Sequence, residues 1–180
     1  MRTFVAVEIS NENVINSIKK FQNKINVNAK PVDSKNLHFT LQFLGEINEE
    51  DLEEIIKALK TIEFSSFNVN LKDIGVFPKP KFPRVIWIGT DNDGGNFLVQ
   101  LSKKVQKALE PLGFFNDKPF KPHITVFRIK KKVGDITKEL NDQKMIDFGM
   151  QQVTSLKFKK SELTSSGPIY SDLLEVKATI

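Results

Sequence analysis

The stretch "NLHFTLQF" occupies Asn36 to Phe43, and "KPHITVFR" occupies Lys121 to Arg128. The chain has two histidines, and these two stretches hold both. Each is followed two residues later by a threonine: His38 by Thr40, and His123 by Thr125. Both stretches are rich in β-branched and aromatic residues and read as strands, Leu37 to Leu44 and Phe120 to Ile129. Side chains at i and i+2 of a strand share a face. His38 and Thr40 therefore point one way with Gln42 beyond, while Phe39, Leu41 and Phe43 are expected in a core. His123 and Thr125 likewise share a face, with Ile124 and Val126 behind. Each motif sets an imidazole beside a hydroxyl on a rigid, apolar-backed element, which suits a precise site.

Around these strands the chain falls into two similar runs. Thr3 to Ile9 reads as a strand, and Ser10 or Asn11 caps a helix to about Asn26 with Val14, Ile18, Phe21 and Ile25 on one face. Asn48 caps a second helix, acidic in its first turn, with Leu52, Ile55, Ile56 and Leu59 facing inward. Phe67, Val69 and Leu71 alternate as a strand. In "GVFPKPKFPRVIWIG" three prolines predict a loop, because proline cannot donate to a ladder. A strand follows from Val85 to Gly89, then a turn over "TDNDGGN", then a helix from Phe97 to Leu112 stopped by Gly113. Past the second histidine come a basic loop, Lys130 to Lys132, and a short helix near Ile136 to Leu140. Two strands follow, about Val153 to Lys160 and Ile169 to Ala178, around the turn "SSGP". Each run goes strand, helix, histidine strand, helix, strand. The expectation is one α+β domain over 1–180, built of approximate repeats 1–75 and 82–180. Each of its two pseudo-symmetric lobes is an antiparallel sheet with helices outside, with a cleft between the lobes.

Composition narrows the chemistry. The 180 residues include no cysteine, which excludes a disulfide scaffold, a thiol nucleophile and cysteine-ligated zinc. No apolar run approaches the roughly 20 residues of a membrane span, and the N-terminus lacks a secretory pattern, so a cytoplasmic protein is expected. A net charge of +5 leans towards an anionic partner, nucleic acid above all. Arginine is the better phosphate fork, and one of the three arginines, Arg128, follows the second motif.

Two histidines are too few for a catalytic zinc without a third ligand, and none stands at a suggestive spacing, so no metal and no cofactor is expected. A serine triad needs one histidine. Paired acid–base catalysis needs two, one neutral and one protonated. On opposite sides of a phosphodiester, one imidazole would take a proton from water and the other would give one to the departing oxygen. The threonine hydroxyls and Arg128 would bind the non-bridging oxygens. The symmetric motifs do not say which histidine is acid and which is base. On a regular strand Arg128 points away from His123, so either the strand bends or ends after Val126, or Arg128 is structural; a bend is the expectation. Other candidates for RNA contact are Phe4, for base stacking, Lys79, Lys81 and Arg84 in the proline segment, and Tyr170 in the last hairpin.

Over nearly its whole length the chain resembles the 2H phosphoesterases, named for two His-x-Thr/Ser-x motifs. It is most similar to the branch of RNA 2′,3′-cyclic phosphodiesterases, also called LigT-type 2′-5′ RNA ligases. "RTFVAVEI", "NLHFTLQFLGE", "FPRVIWIG", "KPHITVFR" and "LTSSGPIYSDL" carry the resemblance. Phe127 departs from it, standing where the family often has a small residue. The resemblance implies hydrolysis of a terminal 2′,3′-cyclic phosphate to a 2′-phosphomonoester, and joining or cleavage of 2′-5′ linkages. It makes His38 the proton donor and His123 the proton acceptor, with Thr40, Thr125 and Arg128 on the phosphate. The implied partner is an RNA end, tRNA fragments included, and the implied state a monomer. The alternatives are an RNA-binding or ligation module with incidental hydrolysis, and a related esterase acting on nucleotides or 2′-5′ oligonucleotides.

Overall fold

The computed structural model describes residues 1–143 and 145–179. In chain order the strands are β1 (Arg2–Glu8), β2 (Lys30–Pro31), β3 (His38–Glu46), β4 (Phe67–Lys79), β5 (Phe82–Thr90), β6 (Ile124–Arg128), β7 (Asp147–Val153), β8 (Ser155–Thr164) and β9 (Gly167–Lys177). The helices are α1 (Glu12–Lys24), α2 (Glu49–Lys60), α3 (Asn92–Leu109) and α4 (Thr137–Asp142). The strands order as β7-β4-β5-β6-β3-β1-β8-β9, with β2 beside β6, and their pairings are antiparallel. The α+β class and the antiparallel sheet with helices are as expected.

The β6–β3 junction divides this order into two sets of four strands. β3 and β6 meet at one recorded pair, Phe39 opposite Ile124, so the sheet is two four-stranded halves touching at a narrow seam. One half joins both ends of the chain, with β8 beside β1 and β9 beyond β8, and the other half comes from the middle of the chain, with β4 between β5 and β7.

Helices cover one face. The caps expected from sequence form: the Asn11 side chain accepts from Val14 N–H at 3.1 Å, and Asn48 and Asp51 make a capping box. α1 lies against β6 and β7, and α3 against β3 and β4. Val14, Ile18 and Phe21 of α1 and Leu98, Leu101, Val105 and Leu109 of α3 are buried in the same core as Phe39 and Ile124. At roughly 1.5–3 kcal/mol per fully buried large apolar side chain, this face is what holds the helices on the sheet.

Three local expectations are corrected. The proline segment is a β-hairpin, β4 and β5 joined at Pro80–Lys81. Its ladder tolerates Pro78 and Pro83 because β7 pairs β4 only over Phe67–Lys72, and β6 pairs β5 only from Val85 onward. Among the described residues no strand therefore pairs the outer hairpin on either side, where proline costs little. "TDNDGGN" is largely the start of α3, with the Asp91 side chain accepting from Gly94 N–H at 3.0 Å. A Cβ on Gly94 would lie 2.7 Å from the Val69 Cα, so the glycine lets the helix start against β4. Finally, β7 is a separate strand that the alternation did not reveal. Its Gln151 is buried and accepts from the Ser10 and Asn11 N–H groups, both at 2.9 Å, tying β7 to the start of α1.

Candidate functional site

Phe39 and Ile124 point into the helix-covered core, so their neighbours His38, Thr40, His123 and Thr125 face the other side, at the seam between the halves. All four are half-buried.

Both imidazoles are held the same way. His38 Nδ1–H donates to the Asn36 carbonyl at 2.6 Å, and His123 Nδ1–H donates to the Lys121 carbonyl at 2.7 Å. A carbonyl can only accept, so Nδ1 carries the hydrogen in both rings. Each Nε2 is then left as the atom that gives or takes a proton. Each ring is also fixed by two aromatic neighbours. Around His38 these are Phe4, at 5.1 Å between centroids, and Tyr170 at 5.5 Å. Around His123 they are Phe77 at 5.2 Å and Trp87 at 6.2 Å. Trp87 can lie there because Gly75 stands under it: a Cβ on Gly75 would come within 2.1 Å of the indole.

A β-bulge follows the threonine in each motif. In β3 the pairing runs Val5–Gln42 and then Ala6–Thr40, so Leu41 is the extra residue. In β6 it runs Ile86–Phe127 and then Trp87–Thr125, so Val126 is the extra residue. A bulge shifts the alternation by one. The expectation for residues 42 and 43 is therefore reversed. Gln42 is buried at 2% exposure with its amide towards the Phe114 carbonyl, and Phe43 is 71% exposed on the site side. In β6 both Val126 and Phe127 enter the core, and Arg128 returns to the face of His123 and Thr125. This is the bend that Arg128 required. Phe127 packs edge-on against Phe21, away from the site. The Val126 carbonyl at the bulge accepts from Val32 N–H at 2.9 Å and from Gln22 Nε2 at 3.0 Å, which pins the distortion.

The charges around the histidines push both towards the neutral form. Burial drives His38 down to about 4, the Lys159 and Arg128 charges add to this, and the Asn36 carbonyl and Glu8 oppose it. His123 is lowered by burial and by Arg128, against the Lys121 carbonyl. Arg128 thus acts on both rings. Glu8 stands opposite His38 in the ladder and forms ion pairs with Lys157 and Lys159, and both lysines also pair with Asp172. A cavity of about 340 Å³ opens beside this cluster, lined in part by Asn36, Lys159 and Tyr170.

The depressed His38 has a consequence for stability. An unfolded imidazole titrates near 6.5, so between about 6.5 and about 4 the folded chain binds fewer protons at this position than the unfolded one. The contribution is fully present above that window and is lost as pH falls through it. Between about pH 7 and about pH 4.5 the wild type should lose roughly 1–3 kcal/mol more stability than His38→Asn, measured by urea unfolding. An equal loss in the two proteins would show that His38 titrates like a free imidazole.

The other sequence candidates are dispersed. Phe4 is 3% exposed, its ring covered by His38, Tyr170 and Phe43, so it offers no open face to a base and instead supports His38. Tyr170 sits beside His38. Lys79, Lys81 and Arg84 stand exposed at the outer end of the β4–β5 hairpin. Sequence reasoning missed Phe77, Trp87, Phe43 and Lys159. Trp87, the chain's single tryptophan beside a glycine-bearing strand, was the one with a readable signal. Among the described residues no three His, Asp or Glu side chains cluster as metal ligands, and no helix is long and apolar enough to cross a membrane.

Known proteins are similar to this chain in sequence and in fold. The chain is 39% identical over 178 residues to an Archaeoglobus fulgidus protein named RNA 2′,3′-cyclic phosphodiesterase, covering 96% of this chain and 98% of the relative. A Methanocaldococcus jannaschii protein of the same name is also 39% identical, covering 97% and 99%. Among solved structures, TT0787 of Thermus thermophilus matches with a TM-score of 0.83 at 30% identity, covering 98% of this chain and 97% of that one. Escherichia coli LigT, solved with 3′-AMP, matches in fold with a TM-score of 0.80 at 24% identity, covering 99% and 98%. Residues 2–177 match the family described as the AKAP7 2′5′ RNA ligase-like domain, and with these full-length relatives the chain belongs to that family, the 2H phosphoesterases.

Proposed function

We propose that the protein hydrolyses a terminal 2′,3′-cyclic phosphate on RNA to a 2′-phosphomonoester, without a metal, using His38 and His123 as its acid–base pair. The observation that carries this reading is the matched anchoring of the two imidazoles. Each gives its Nδ1–H to a carbonyl two residues earlier and leaves Nε2 for proton transfer on the same face of the sheet. The names of the relatives supply the substrate class.

In this mechanism Nε2 of neutral His123 takes a proton from water as the water oxygen bonds to phosphorus. The bond from phosphorus to O3′ breaks, and O3′ takes the proton from Nε2 of protonated His38. The products are a 3′-hydroxyl and a 2′-phosphate. Thr40, Thr125 and Arg128 hold the non-bridging oxygens as their charge grows. His38 is neutral in the empty site at pH 7, because its pKa lies near 4. Burial is the main cause of that depression, and the anionic phosphate opposes it by favouring the charged ring and offsetting the Arg128 and Lys159 charges, so the pKa of His38 rises when substrate binds. With a 5′-hydroxyl in place of water, the same two transfers would form a 2′-5′ linkage. β1 lies between β3 and β8, and β5 lies between β6 and β4, and this likeness supports a duplicated unit, with repeats near 1–75 and 82–180 that exchange a strand.

The test is incubation with an oligonucleotide ending in 2′,3′-cyclic phosphate, with and without EDTA. A 2′-phosphate product formed at the same rate in both is expected. A 3′-phosphate product, or loss of turnover on chelation, overturns the reading.

A further inference from the structure

The outer β4–β5 hairpin and the loop after β6 are far apart in sequence but form one surface. Ile129 N–H donates to the Arg84 carbonyl at 2.9 Å, and Ile136 N–H donates to the Pro80 carbonyl at 3.0 Å. These two bonds staple the 130–135 loop along the hairpin. Lys79, Lys81, Arg84, Lys130, Lys131 and Lys132 are all exposed there. Asp135 is the carboxylate that lies close enough to Lys81 to feel its charge.

This surface begins at the site. Arg128 faces the seam, and Ile129, the next residue, is bonded to Arg84. Phe77 packs on His123, and Lys79 follows two residues later on the same strand, towards the tip of the hairpin. The Lys79 ammonium lies 5.3 Å from the Phe82 ring centroid, and Phe82 is 57% exposed. The turn joining β8 and β9, on the other half, has no charged residue of its own and one cation against it, the Lys30 ammonium, which donates to the Ser166 carbonyl at 2.6 Å. A cationic path with interleaved open aromatic rings is how single-stranded nucleic acid is held without sequence preference.

We propose that this hairpin and its stapled loop bind the single-stranded RNA that precedes the reacting nucleotide, so that the preferred substrate is an oligonucleotide. The proposal rests on the hydrolytic function above and adds the direction in which the strand leaves the site. The lysines and Arg84 contact phosphates, and Phe82 stacks a base.

The test compares a hexanucleotide ending in 2′,3′-cyclic phosphate with a nucleoside 2′,3′-cyclic phosphate. In the wild type, kcat/KM should favour the hexanucleotide. In Lys79→Gln/Lys81→Gln/Arg84→Gln the ratio of the two values should fall about tenfold or more, through KM, and the log–log salt slope for the hexanucleotide should flatten by about 2. Lys130→Gln/Lys131→Gln should change the ratio in the same direction. Fluorescence anisotropy of a labelled hexanucleotide bearing a 2′-phosphate reads the same surface without turnover. If the wild type binds it better than the triple variant but hydrolyses neither substrate, the hydrolytic function fails and this surface stands. Equal kcat/KM for both substrates in the wild type overturns the proposal. So does an unchanged ratio in the triple variant, including the case where that variant has lost binding to phosphatidylserine vesicles.

Discussion

Replacing either histidine with alanine is expected to lower kcat by about 10² to 10⁴-fold, with the protein still folded. Neither ring is a core residue. Both are half-buried, on the side of the sheet away from the helices, so their removal leaves the packing of Phe39 and Ile124 in place. What is lost is one proton transfer in a step that needs two. The double variant should therefore be little slower than the worse single variant, since a lone acid or base cannot complete the exchange. Single-turnover rates with a cyclic-phosphate oligonucleotide, beside melting curves of the same proteins, read both quantities. Near-normal turnover in either single variant would remove the two-histidine mechanism. The acid role of His38 adds a second check. Its pKa of about 4 in the empty protein must rise when a 2′-phosphorylated nucleotide binds, and the ring proton resonances report this directly.

Arg128→Ala is the second large effect, expected at about 10² to 10³-fold in kcat. The guanidinium is exposed, and it is the one charge lowering the pKa of both histidines. In the proposed mechanism a group so placed would stabilise the negative charge that builds on the phosphate between the two rings. Arg128→Lys keeps the charge but not the fork, so it should recover only part of the rate. Stability should change little in either variant, because the side chain packs on no core. A loss of folding in Arg128→Ala, or an unaltered kcat, would place the arginine outside the site. Gln22→Ala asks the same question indirectly, because Gln22 bonds the bulge that turns Arg128 inward.

The parts of this protein that obey a single period were readable in advance. The helices announced themselves by spaced apolar residues and by Asn11 and Asn48 as caps, and the two His-x-Thr pairs stood out because the chain has no other histidine. The failures share a cause. A β-bulge adds one residue to a strand without any mark in the sequence, so strict alternation put Phe43 in the core and Gln42 at the site, the reverse of what is found. The same event rescued Arg128, whose phase could be questioned but not resolved from the letters. The prolines were judged by what they cannot donate, but which edge of a ladder lacks a partner is a tertiary fact. Gln151 is polar and buried because it caps the start of a helix far away in sequence, and so the strand around it lost its alternating pattern.

The interleaved order of strands also sets a timetable for the growing chain. β1 is made first, but it lies between β3 and β8, and Arg2 pairs with Ser161. At typical rates of synthesis the stretch between them takes on the order of ten seconds to emerge. Throughout that interval β1 has one bare edge, with Phe4, Val5, Ala6 and Val7 in a row of backbone groups open to pairing with a stranger. The half that carries Arg128 waits for β7 and the half that carries His38 for β8 and β9, so a truncated product ending before Asp147 would leave strands missing from both halves. The site between them is thus framed only after the last three strands have left the ribosome.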